Sequence, residues 1–118
     1  PRSTLFPYTT LFRSCLIHTF WFLVRREDRV VVGSADFKNV PDPEGQVEIG
    51  YGLGLKYEHK GYMTEAVEAM CRWAQEQEEV RAVIAETEPD GLASIRVLGR
   101  CGFKRWKTEE NLWWRLDG

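Results

Sequence analysis

The chain has 118 residues, 43% hydrophobic and 13% aromatic, which suits one domain with a buried core and excludes two of ordinary size. Basic residues number 16 and acidic residues 18, so the net charge is −2, without the basic excess of a nucleic-acid binder. A 29% share of charged residues alongside five Trp and six Phe argues against disorder.

Cys15, Cys71 and Cys101 form no C-x-x-C pair. With His18 and His59 as the only histidines there is no zinc-ligand cluster, so no metal is expected. Buried or half-buried thiols in a reducing cytoplasm are the plain reading, with a redox role as the alternative. The chain starts at Pro1, and residues 4–14, TLFPYTTLFRS, resemble the translation of a common short-read sequencing adapter. On that resemblance residues 1–14 are expected to be artefactual, leaving 15–118 as a partial domain, with the apolar, β-prone Leu5, Phe6, Tyr8, Leu11 and Phe12 able to cover part of the sheet's edge by chance although Pro7 interrupts them. A signal peptide over Cys15–Val24 is the rival reading. His18 and Thr19 interrupt that run, Arg25-Arg26 follow it, and no small-residue cleavage site is present. It is also about half the length a membrane span needs. A strand and no membrane association are expected.

In chain order, Phe20–Val24 is aromatic and β-branched and reads as a buried strand. Arg26-Glu27-Asp28 is a polar turn, and Arg29–Phe37 returns as the second strand of a hairpin. Pro41–Gly45 is a loop. Gln46–Leu55 is the most informative strand. Val47, Ile49, Tyr51, Leu53 and Leu55 share one face, while Glu48, Gly50, Gly52 and Gly54 share the other. Three glycines on one face point either to close approach of a ligand or another backbone, or to a bulge or twisted strand end. Met63, Ala66, Val67, Met70, Trp73 and Ala74 recur at helical spacing, predicting a helix that ends near Glu78. Ala82–Glu86 is a short strand. A second helix follows Pro89-Asp90-Gly91, with Asp90 as N-cap and Gly102 as the residue that ends it. Lys104–Lys107 and Leu112–Leu116 close the chain as a hairpin. Strand, strand, strand, helix, strand, helix, hairpin makes a mixed α/β (α+β) domain with one parallel crossover.

The loop with Gly61 and the helix beginning near Tyr62 combine free N–H groups, the positive end of a helix dipole and the charges of Lys56, His59 and Lys60. A phosphate is the natural guest there; an ordinary turn with solvated lysines is the alternative. The G-x-x-x-x-G-K-[ST] pattern of a P-loop is absent.

Val47-Glu48-Ile49-Gly50-Tyr51, Lys60-Gly61-Tyr62-Met63-Thr64-Glu65-Ala66, Glu86 through Ser94, Val97-Leu98 and Cys101-Gly102-Phe103 occur in the order of the GNAT superfamily of N-acetyltransferases, which the chain resembles over Phe20–Leu116. The nearest branch resembles the ribosomal-protein N-terminal acetyltransferases. The resemblance implies a central mixed sheet flanked by helices, here lacking the family's first strand and first two helices. It implies acetyl-coenzyme A as donor and a primary amine, a peptide N-terminus or a small molecule, as acceptor. The donor's pyrophosphate would lie on His59, Lys60, Gly61, Tyr62, Met63 and Thr64. Its pantetheine arm would pair with the glycine-bearing strand at Ile49, Tyr51 and Leu53. The family's loop pattern departs here at Glu58, a carboxylate near a dianion, and at Met63.

Transfer needs a neutral amine. At pH 7 an α-amine is about 10% neutral and a lysine well under 0.1%. Glu48, on the glycine face, is the candidate general base, with a solvated strand glutamate as the alternative and Glu86 in reserve. Much of the superfamily protonates the leaving thiolate with a Tyr, where this chain has Leu98. The ribosomal-type branch implies Ser94 in that role, or Ser94 simply bonds backbone in its helix's first turn. Gly91 stands where that branch has Asn. A non-catalytic coenzyme-A-binding module and an inactive fragment are the other readings. Without the early helices, the Phe20–Phe37 hairpin is expected to leave large side chains in water and to self-associate.

Overall fold

The computed structural model describes residues 5–9, 20–58 and 60–118. Its strands are β1 (Leu5–Thr9), β2 (Phe20–Arg25), β3 (Val31–Phe37), β4 (Gln46–Leu53), β5 (Ala82–Thr87), β6 (Lys104–Thr108) and β7 (Leu112–Asp117). They form a single seven-stranded sheet in the order β1-β2-β3-β4-β5-β7-β6. Two helices, α1 (Tyr62–Gln75) and α2 (Leu92–Arg100), follow β4 and β5. All neighbouring strands are antiparallel except β4 and β5, which run parallel. The mixed α/β sheet with one parallel crossover is therefore present, and so is the expected element order from β2 onward.

One strand is additional. Leu5–Thr9, within the stretch offered as a chance cover for the hairpin's edge, pairs antiparallel with β2, Pro7 opposite Leu23. β1 is a sheet edge, where the missing N–H of Pro7 leaves no ladder partner unsatisfied. Residues 15–19 of the expected first strand lie outside the described residues.

The core fills one face of the sheet. Leu23, Ala35, Phe37, Val47, Ile49, Val83, Ala85 and Trp114 are buried with Met63, Val67, Met70 and Ala74 of α1 and Leu98 of α2. Phe37 stacks on Trp73 at 5.9 Å, and Trp21 meets the same ring edge-on at 6.1 Å. Each fully buried side chain of this size contributes about 1.5–3 kcal/mol. On the hairpin, Phe22 and Val31 face water at 38% and 54% exposure, whereas Val32 is buried. Among the described residues no helix is long and apolar enough to cross a membrane.

Helix ends differ from expectation for local reasons. α1 stops at Gln75 rather than near Glu78 because the Gln77 side chain donates to the Trp73 carbonyl at 3.0 Å and its backbone N–H to Ala74. Asp90 is not the N-cap of α2. Gly91 holds that position without a side-chain bond, and it is the Asp90 carbonyl that accepts the Leu92 N–H. At the other end Gly102 has φ 92, Phe103 N–H reaches the Leu98 carbonyl at 3.0 Å, and Gly102 N–H reaches Gly99 at 3.2 Å. That pair of bonds is a Schellman stop, which needs the left-handed backbone that glycine adopts freely.

Candidate functional site

The parallel seam is short. β4 pairs with β5 only at Gln46–Ala82, Val47–Val83 and Glu48–Ile84, while its pairing with β3 continues to Leu53. Beyond Glu48 the two halves of the sheet separate. Which backbone groups this bares follows from strand alternation. Glu48 directs both its groups at the β3 side: its N–H donates to Asn39 Oδ1 at 2.9 Å, and its carbonyl accepts the Lys38 N–H at 2.8 Å. Gly54, on the same parity, donates to the Val32 carbonyl. The odd positions face β5: the Ile49 N–H closes the last rung of the seam, and beyond it the Ile49 carbonyl and the N–H and C=O groups of Tyr51 and Leu53 turn toward the gap left by β5. An exposed row of this kind accepts an extended, amide-bearing chain as an added strand.

A cleft of about 320 Å³ opens at this fork, bounded by Tyr51–Leu53, the start of α1 and one side of α2. Gly61 is the N-cap of α1, with φ 78 and no side-chain cap. The helix N–H groups at Tyr62, Met63 and Thr64 begin on the cleft wall without a capping side chain, and the dipole of a 14-residue helix points its positive end there. Among the described residues nothing lies within 4 Å of where a Gly61 Cβ would stand. Lys60 is exposed beside it, and His59 lies outside the described residues. Arg96 and Arg100, one turn apart on α2, line the same cleft. Sequence reading missed them; their i, i+4 spacing was the available signal. Glu58 also lines the cleft, so the carboxylate expected to oppose an anion does face that wall.

Glu48 sits where β4 and β5 part. Its carboxylate pairs with Lys38 Nζ at 3.4 Å, and its side chain is 19% exposed. Glu86 is exposed on β5, on the same sheet face by register, and accepts a bond from Asn111 at 2.9 Å. Ser94 lines the cleft from the first turn of α2, and its carbonyl accepts the Tyr51 hydroxyl at 3.4 Å. Burial pushes the Tyr51 phenol up to about 12, so it is a proton-bearing group at neutral pH. Leu98 is fully buried in the core and does not face the cleft. The three glycines divide. A Cβ on Gly50 would meet Lys38 Cε at 2.7 Å and one on Gly54 the Tyr57 ring at 3.0 Å, while Gly52 faces open space. Two of them make room for the protein's own side chains.

Cys71 and Cys101 are the described cysteines, and both are free thiols. Burial, then the neighbouring Cys101, pushes Cys71 up to about 12; burial, then Glu68, pushes Cys101 to about 11. Protonated thiols are poor nucleophiles. An acid whose folded value is raised contributes stability below its unfolded value and loses it as pH climbs toward the folded one. Stability to urea is therefore expected to fall from about pH 9 upward, and Cys71→Ala should flatten that slope. Equal slopes in the two proteins would assign the loss to other groups.

A family model described as acetyltransferase (GNAT) domain matches residues 8–104. The uncharacterized N-acetyltransferase YjdG of Bacillus subtilis is 31% identical over 110 residues, covering 87% of this chain and 66% of that protein. The ribosomal protein uS5-alanine N-acetyltransferase of Escherichia coli is 31% identical over 88 residues, 73% of this chain and 45% of that protein. The crystal structure of microcin C7 self-immunity acetyltransferase MccE in complex with acetyl-CoA and AMP shares the fold, with TM-score 0.74 at 17% identity over 83% of this chain and 59% of that one. The chain spans between 45% and 66% of the length of the curated relatives it matches.

Proposed function

The chain belongs to the GNAT acetyltransferase domain family, and from that premise we propose that it moves an acetyl group from acetyl-coenzyme A to a primary amine by direct attack in a ternary complex. One observation carries the reading: the edge of β4 beyond the seam, at Tyr51 and Leu53, lines the same cleft as the uncapped start of α1. The pantetheine amides would pair with the first, and the pyrophosphate would sit on the second with Lys60 and His59 beside it.

In this reading Glu48 takes a proton from the ammonium form of the acceptor. The free amine attacks the thioester carbonyl carbon, a C–N bond forms and the C–S bond breaks with its electron pair on sulfur. The Ser94 hydroxyl gives its proton to that thiolate. The amide nitrogen releases its second proton to solvent, and solvent restores the Ser94 hydroxyl. A base in this position is worth about 10²–10⁴-fold. The acceptor is a protein N-terminus, as the name of the uS5-alanine relative suggests, or a small amine.

Thermal denaturation with and without coenzyme A, then thiol release from acetyl-coenzyme A across peptides and small amines, tests this. Ligand at a hundred times its Kd should add about 2.7 kcal/mol. No shift at millimolar coenzyme A overturns the donor site. A shift with no turnover on any amine favours a non-catalytic coenzyme-A-binding module.

A further inference from the structure

Arg25, the last residue of β2, lies outside the cleft lining but touches the loop that leads into it. Its Nε donates to Asp28 Oδ1 at 3.0 Å and its Nη2 to the second carboxylate oxygen, a two-point clasp within the β2–β3 turn. Asp28 is itself held, accepting the Val30 N–H at 3.3 Å. The remaining nitrogen, Nη1, donates to the Tyr62 hydroxyl at 3.4 Å. The guanidinium carbon stands 5.3 Å from the centroid of Tyr57, whose ring fits because Gly54 lacks a Cβ. Lys56 Nζ approaches the same ring at 5.2 Å. Tyr57 and Tyr62 mark the two ends of the loop that carries Gly61, and Tyr62 is the first residue of α1. One planar guanidinium thus grips both ends of the loop; a lysine ammonium lacks the fork to do so.

We propose that Arg25 is a positioning residue for the donor: clasped by Asp28, it straps the loop 57–62 to the hairpin and presets the start of α1 for an anion. The proposal rests on the donor reading above. The Arg25–Asp28 pair is partly exposed, at 22% and 39%, so it adds little to global stability. Its effect falls on binding, because a loop already ordered spares the ligand the cost of ordering it.

The test measures coenzyme A affinity by calorimetry for the wild type, Arg25→Ala, Arg25→Lys, the pair Tyr57→Leu/Tyr62→Phe, and all three changes together. Arg25→Ala should weaken binding about 5–10-fold, as expected for one or two side chains left to be ordered, with a melting temperature lowered by no more than about 4 °C. Arg25→Lys should fail to restore affinity. The combined variant should bind no worse than Arg25→Ala, because both act through the same contact. Unchanged affinity in Arg25→Ala overturns the proposal, as does full rescue by lysine, which would mean charge alone acts. Multiplying effects of Arg25 and the two tyrosines overturn it too. A wild type that does not bind coenzyme A overturns the donor reading itself, and this proposal with it.

Discussion

Glu48→Gln is expected to lower kcat on a lysine-type amine by about 10²–10⁴-fold at pH 7 while leaving coenzyme A affinity unchanged. The substitution keeps the volume of the side chain, and the backbone at this position is fixed by Asn39 and Lys38 rather than by the carboxylate. On the proposed role, what is lost is the acceptor of the amine's proton at the point where the strands part. The defect should be smaller for an α-amine, about 10% neutral at pH 7, and should shrink for either amine as pH approaches its pKa. Rates and affinities over pH 6–9 check this. Wild-type kcat throughout would leave Glu48 as the ion-pair partner of Lys38 alone and turn attention to Glu86.

Gly61→Asp should cost two orders of magnitude or more in coenzyme A affinity. The new carboxylate would stand at the helix start, where N-cap aspartates accept the first free N–H groups. It would repel the pyrophosphate; two like unit charges 4 Å apart at an effective dielectric of 20 repel by about 4 kcal/mol. The backbone at φ 78 strains a residue with a Cβ, alanine at least as much as aspartate, so Gly61→Ala serves as the uncharged control. Titration of both variants separates the two effects. Equal losses in Ala and Asp would make backbone shape, not charge, the decisive feature of this loop.

Much of this architecture was legible because it is local. The period-two face of β4 as far as Leu53, where a 3-10 turn at Leu55–Tyr57 replaces the expected end of the strand, the helical stripe of α1 and the glycine stop of α2 each lie within a few turns of chain, and each appears in the structure. The helix start at Tyr62 behind Gly61 was equally readable. The fork was not, since nothing within Gln46–Leu53 states how far β5 will follow it; that depends on a partner from beyond α1. The glycines of β4 were misleading for the same reason: Lys38 and Tyr57 fill the space over Gly50 and Gly54, and neither is a neighbour on the strand. Asp28 read only as part of the polar turn Arg26-Glu27-Asp28, and Arg25 drew no role, because Tyr57 and Tyr62 reach the guanidinium only after β4 is in place. Asp90 failed by one residue, a margin that cap chemistry alone does not resolve.

The three-rung seam between β4 and β5 also bears on how the chain reaches its fold. Its pairs, Gln46 with Ala82 through Glu48 with Ile84, close a loop containing all of α1, whereas the β2–β3 and β6–β7 hairpins close over short turns. Loop-closure entropy must be spent on the long connection before its few hydrogen bonds return anything. The two hairpin-built halves are therefore expected to organise first and the seam to join them late. Conservative truncations such as Val47→Ala and Val83→Ala should then speed unfolding more than they slow folding, with φ-values near zero, while Val32→Ala in the first hairpin should slow folding. High φ-values at the seam would instead make the crossover the nucleus, with the hairpins assembling around it.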